Sequence, residues 1–231
     1  MEKLRGVGVA PVLIQIPRLD LAPGEFVAII GDNGSGKSTL LDLIGLILSP
    51  DRVEEFKLSC DKALVDIAGA DDLARSRLRR RCLAYVLQTG GLLEFLTLRE
   101  NIQLGARLAG KPAEHVDVIT EELGISSVRN KRPGRVSGGQ RQLAALARTL
   151  VQSPPLILAD EPTASLHTHN ATQVLVRFRD LARGARSSIL MVTHDLSLAK
   201  TADRVLAFQP VDVGTGPLRS VLQTQPSAIR G

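Results

Sequence analysis

Gly31-Asp32-Asn33-Gly34-Ser35-Gly36-Lys37-Ser38-Thr39 fits the pattern G-x-x-x-x-G-K-[ST] at every fixed position. Its neighbours give the match its meaning. Glu25 to Ile30, just before it, is a short apolar run that reads as a strand. After it, Leu40, Leu43, Ile44 and Ile47 keep helical spacing up to Pro50. In a strand–loop–helix arrangement the glycines let successive backbone N–H groups curl inward onto phosphate oxygens. The helix N-terminus adds its partial positive charge. Lys37 is then expected to reach the β- and γ-phosphates, and Ser38 to offer its hydroxyl to Mg²⁺. The stretch predicts a nucleoside triphosphate site.

Working outward, a second apolar strand, Leu156-Ile157-Leu158-Ala159, ends in Asp160-Glu161. Strand ends beside a phosphate loop line the ligand crevice of a parallel sheet. Asp160 there can hold Mg²⁺, directly or through its waters, and Glu161 is placed to polarise an attacking water as general base. Metal-assisted phosphoryl transfer to water is the reaction class this implies. Further strands are expected at Leu83–Leu87, Ser188–Val192 and, last, Val205–Phe208. Helices are expected over 170–183 and 195–202, and residues 92–135 read as mainly helical. Strands alternating with helices give an α/β fold, a parallel sheet with a helical insertion.

Between the two motifs stands Val136-Ser137-Gly138-Gly139-Gln140, a helix start with Ser137 as cap. With it, the chain resembles the nucleotide-binding subunit of ATP-binding cassette (ABC) transporters over nearly its whole length. The resemblance implies a P-loop NTPase (RecA-like) core with a small N-terminal β subdomain. The core would span 1–88 and 151–231, and a helical subdomain 89–150 would carry the signature motif. It also implies that Ser137, Gly138, Gly139 and Gln140 press on the γ-phosphate held by a second cassette, so that two ATPs are sandwiched in a head-to-tail dimer, here a homodimer. Gln88 looks like the family's glutamine that senses Mg²⁺ and the attacking water. His194, in Val192-Thr193-His194-Asp195, looks like its γ-phosphate histidine. ATP and Mg²⁺ are the implied cofactors.

Three departures from the family pattern stand out. No aromatic residue lies in Gly8 to Ile14 to stack on adenine, and Val12 or Leu13 offers only a flat apolar contact. His167, in Ala164-Ser165-Leu166-His167, replaces the carboxylate that helps couple the two ATP sites. Leu143 stands where an arginine is common, and the apolar stripe Leu143, Leu146, Ala147, Leu150 absorbs it.

Composition narrows the function classes. The 231 residues are 44% hydrophobic, with five Phe, one Tyr and no Trp, so the core is built of Leu, Val, Ile and Ala. The net charge is +5, and Arg75, Arg77, Arg79, Arg80 and Arg81 crowd one expected exposed helix. No aromatics interleave with them, so no base-stacking platform forms and no nucleic acid partner is expected. Cys60 and Cys82 lack metal spacing and are expected as reduced thiols of a cytosolic protein. No apolar run approaches the roughly 18 residues of a spanning helix, so a transmembrane permease subunit would do the spanning. The expected location is cytoplasmic, peripheral on the inner face of the cell membrane. The segment Leu87 to Thr97, with Glu100-Asn101 after it, resembles exporter-type cassettes of the lipoprotein-release and macrolide-efflux kind, as does Ala159 before the acidic pair. The alternative is an ABC ATPase that moves no solute, in DNA repair, translation or regulation. Against it stand the short interval from Gln88 to Ser137, which leaves no room for long coiled coils, the single cassette, and the presence of Glu161.

Overall fold

The structure is a computed structural model, and it describes residues 1–6, 11–60, 63–112, 114–164, 166, 168–211 and 218–224. Ten strands occur among them: β1 (Glu2–Arg5), β2 (Val12–Gln15), β3 (Phe26–Ile30), β4 (Lys57–Cys60), β5 (Ala63–Asp66), β6 (Leu83–Val86), β7 (Leu156–Asp160), β8 (Ser188–Val192), β9 (Arg204–Val211) and β10 (Leu218–Thr224). The helices are α1 (Lys37–Ile44), α2 (Asp72–Cys82), α3 (Leu98–Leu108), α4 (Glu114–Glu122), α5 (Gly138–Leu150), α6 (Thr168–Gly184) and α7 (Leu196–Ala199).

Eight strands form one sheet in the order β1-β2-β10-β9-β3-β8-β7-β6, and β4-β5 stand apart as a hairpin. From β9 to β6 every pairing is parallel. The central strands are short runs of Val, Ile, Leu, Ala, Phe and Met, buried throughout, as strands covered on both faces must be. Their period-two alternation divides the core in two. Phe26, Ala28, Ile30, Ile157, Ala159, Ile189 and Met191 face a cluster with residues of α3 to α7. Val27, Ile29, Leu156, Leu158, Leu190 and Val192 face the other, with Leu40, Leu41 and Leu43 of α1 and Cys82 of α2.

Several expectations need correction. Helix α1 stops at Ile44 rather than running past Ile47. Leu46 adopts φ 58°, its N–H bonds Leu43 O, and the Ile47 N–H bonds Asp42 O at 2.8 Å. That left-handed reversal satisfies the last carbonyls and leaves Ile47 exposed. The helix expected over 195–202 is only the four residues of α7, capped by Asp195. Strand β9 is not the last. β10 follows it, lies antiparallel to β9 and also pairs parallel with β2.

Cys60 and Cys82, expected as separate thiols, are joined in a disulfide with Cα atoms 5.6 Å apart. The pairing arises because α2 runs back over the hairpin and ends with Cys82 beside β4, a juxtaposition with no local sequence signal. Closing a loop between residues 22 apart stabilises by about 3 kcal/mol in the chain-entropy account.

Candidate active site

The phosphate loop follows the C-terminal end of β3, the central parallel strand. Gly36 caps α1 with φ 106°, and a Cβ there would lie 2.8 Å from Ile14 Cδ1, so only glycine lets the loop seat on β2. Lys37 Nζ donates to the carbonyls of Gly31 and Asp32 at 2.6 and 2.9 Å, and Lys37 is 9% exposed. The ammonium is thus fixed over the loop mouth. Asp32 and Ser35 are joined by Ser35 N–H to Asp32 O at 3.1 Å. Asn33 and Gly34 form the exposed crest, and Thr39, in the first turn of α1, is buried. From β10, Ser220 Oγ donates to Ser35 O at 2.6 Å, a brace on the loop that the sequence did not announce.

Strand β7 pairs with β8, which separates it from β3, and delivers its acids to the same edge. Ser38 Oγ lies 3.5 Å from Asp160 Oδ2. Burial, then the neighbouring Glu161 carboxylate, pushes the Asp160 carboxyl above its usual range, against the opposing pull of Ser38 and Lys37. A half-buried carboxylate held this way beside a hydroxyl fits a divalent cation. Among the described residues no group of three or more His, Cys, Asp or Glu could hold a metal ion alone. One carboxylate and one hydroxyl completed by substrate phosphates is the donor set Mg²⁺ takes in such sites. The fit is good.

Glu161 sits one residue past the strand with φ 45°, a left-handed conformation costly for a residue with a side chain. Its N–H bonds Val192 O at 3.0 Å. Its carboxylate is gripped from β8's end: the Thr193 hydroxyl donates to Oε2 at 2.9 Å and the His194 N–H to Oε1 at 2.9 Å. His194 Nδ1 stands 2.6 Å from the same Oε1, with its ring 69% exposed and the Glu161 side chain only 12% exposed. One edge of the imidazole is therefore tied to the base while the other is open to incoming substrate.

Helix α5 opens with a capping box. Ser137 Oγ accepts from the Gln140 N–H at 3.2 Å, and Gln140 Oε1 accepts from the Ser137 N–H at 3.2 Å. Gly138 and Gly139 form its first turn. Ser137 is exposed and makes no bond to the phosphate loop of its own chain. The strand expected over Leu83–Leu87 ends one residue early. β6 stops at Val86, and Gln88 is an exposed turn residue in a loop closed by Gly90 N–H to Leu87 O at 2.8 Å. Leu143 packs half-buried against the core, as its place in the stripe anticipated. Ser165 and His167 lie outside the described residues.

Sequence reasoning passed over three polar residues. Thr193 is 1% exposed and orients Glu161. Gln142 is 2% exposed on α5, and its Nε2 donates to Pro162 O at 2.6 Å, one residue past the base. Asn101 is fully buried and ties the 93–97 loop, exchanging bonds with Leu93 N–H (2.8 Å) and the Leu93 and Thr97 carbonyls (3.1 and 2.9 Å). The available signal for Gln142 was a polar side chain at helical spacing from Ala145, Leu146 and Thr149, a face otherwise buried.

Comparison with known proteins agrees with this geometry. The ABC transporter family profile matches residues 14–164. The lipoprotein-releasing system ATP-binding protein LolD of Anaeromyxobacter dehalogenans is 40% identical over 210 residues, which are 89% of this chain and 85% of that protein. The macrolide export ATP-binding/permease protein MacB of Nitrosomonas europaea is 37% identical over 213 residues, 90% of this chain but 31% of that longer one. In three dimensions the chain superposes with a TM-score of 0.76 on the ATP-binding cassette MJ0796, solved as a dimer in a post-hydrolysis state with ADP and Pi. That pair is 28% identical over 89% of this chain and 90% of the other. A phosphate loop facing a gripped carboxylate base, in a chain matched nearly end to end by cassette ATPases, leaves one assignment: the protein belongs to the ABC transporter family and is one of its ATP-hydrolysing subunits.

Proposed function

We propose that this subunit powers an exporter of the lipoprotein-release or macrolide-efflux kind from the inner face of the cell membrane, as two identical cassettes closing on two ATPs. The single observation that carries the catalytic part is the Glu161 carboxylate, held by Thr193 and His194 beside the Ser38–Asp160 pair. Residues 1–88 and 151–231 form the core in this reading, and 89–150 the helical subdomain that docks on the permease. The kinship with LolD and MacB supports the exporter type. No helix among the described residues is long and apolar enough to cross a membrane, which suits a subunit working through a separate permease.

Each residue then has one task. The loop N–H groups of 31–39 and Lys37 bind the phosphates and hold the γ-group still. Ser38, Asp160 and Gln88 would hold Mg²⁺, which when bound would supply positive charge against the phosphate oxygens. Glu161 takes the proton of the attacking water. His194 steadies the base through Nδ1 and presents its free edge to the γ-phosphate. Ser137 to Gln140 supply an anion-binding helix start to the ATP of the other cassette.

The test is the molecular mass of the Glu161→Gln protein with and without ATP, beside the parent. Removing the base blocks hydrolysis, so an ATP-dependent dimer accumulates, and adding Ser137→Arg abolishes it. A protein that binds ATP yet stays monomeric as Glu161→Gln would overturn the homodimer.

A further inference from the structure

Helix α5 does more than present Ser137. Near its C-terminal end Arg148 is half-buried, and burial pushes its guanidinium below the usual value. It donates to two main-chain carbonyls, Nη1 to Gly91 O at 2.7 Å and Nη2 to Gly90 O at 3.0 Å. Gly90 closes the turn whose central residues are Gln88 and Thr89, and Gly91 follows directly after it. Gly90 and Gly91 are both left-handed, φ 76° and 57°, which aims consecutive carbonyls at one guanidinium.

The surroundings are shaped for this contact. A Cβ on Gly90 would lie 3.5 Å from Ala145 Cβ, and one on Gly91 would lie 3.5 Å from Arg148 Nη2. A Cβ on Gly105 of α3 would meet Arg148 O at 2.7 Å and Arg148 Cγ at 2.9 Å, so α3 makes room for the arginine stem. The turn is therefore pinned to the helix that starts with Ser137.

We propose that Arg148 is a positioning residue for Gln88. It fixes the Gln88 turn to α5, so that the delivery of the Gln88 side chain follows the pose of the helix that contacts the other cassette's ATP. The inference rests on the role given to Gln88 above. Two hydrogen bonds from one planar fork set the turn's orientation as well as its distance, which a single bond would not.

A double-mutant cycle on the full chain decides it, with kcat and KM for Mg-ATP measured for Arg148→Met, Arg148→Lys, Gln88→Ala and the combinations. Arg148→Met is expected to lower kcat about tenfold, the order of loss for a misplaced reacting group, with KM within about twofold. Arg148→Lys falls between, because an ammonium does not reproduce the two-pronged fork. Arg148→Met on top of Gln88→Ala should cost less than about twofold further, because both act through one side chain. If Arg148→Met is insoluble, the lysine cycle is read in the same way. Losses that multiply, or an unchanged kcat in a soluble Arg148 variant, would overturn the inference while leaving Gln88 in its role. An unchanged kcat in Gln88→Ala would remove that role and this inference with it.

Discussion

Gln142→Leu tests whether the catalytic turn is held by the helix packed against it. Leucine nearly matches glutamine in volume, so the change leaves little cavity. What it removes is the 2.6 Å bond from Nε2 to Pro162 O, in a place where Gln142 is 2% exposed. A buried carbonyl deprived of its donor costs ~1–3 kcal/mol. Taking about 2 kcal/mol, and the ~2–4 °C per kcal/mol usual for a chain of this size, melting should fall by about 4–8 °C. Activity should fall too, for a second reason. Glu161 is held at φ 45°, and that strain persists only while its neighbours over-determine it. With Pro162 released, the carboxylate shifts, and a displacement near 1 Å at a reacting group can cost up to about a hundredfold. The assays are thermal unfolding followed by circular dichroism, and ATP turnover well below the transition. A variant melting within about a degree of the parent, with unchanged turnover, would show that the bond holds nothing.

Other outcomes follow from the same geometry. Asp160 has a folded-state pKa raised by burial, so its ionisation weakens the nucleotide-free fold as pH rises through the carboxylate range, and that loss persists above it. Asp160→Asn should therefore melt above the parent at neutral pH, with the gap closing under acid conditions. A gap independent of pH would contradict this. Asn101→Ala strands the Leu93 N–H in a half-buried loop, and should cost about 1–3 kcal/mol in urea unfolding and open residues 93–97 to protease. Equal protease resistance would argue against Asn101 as the loop's tie. With Val12 and Leu13 half-buried in β2 and no aromatic among its residues, ATP and GTP should bind the Glu161→Gln protein within about tenfold, and titration finding a far larger preference would refute it.

The sequence made the site legible wherever chemistry is spelled in consecutive residues. The phosphate loop, the Asp160-Glu161 pair and the Ser137 cap each combine an unusual local spelling with a flanking apolar run, and the central strands show as continuous apolar stretches because they are covered on both faces. What remained hidden depends on contacts distant along the chain. The Cys60–Cys82 bond needs α2 to fold back on β4. The grip on Glu161 by Thr193 depends on β7 and β8 being neighbours. β10 escaped notice because only Ser220 and Leu222 point inward, a period-two signal too short to separate from a loop. The end of β6 was placed one residue too far because it is set by the turn glycines rather than by any change in hydrophobicity.

The place of β10 bears on the order in which the protein becomes an enzyme during synthesis. β2 reaches the rest of the sheet only through β10. Ile14 of β2 and Ser220 of β10 both close on the phosphate loop, at Gly36 and at the Ser35 carbonyl. On the ribosome, Ile14 emerges roughly 10–40 s before Ser220, at typical elongation rates of ~5–20 residues per second. Throughout that interval β2 lacks its partner on the side of the main sheet, although β1, the Glu2–Arg52 bridge, α1 and β3 are already made. The nascent chain thus carries the whole phosphate-binding spelling long before it has the walls of the site. The brace on the loop is therefore completed late, when the strand between β2 and β9 is inserted.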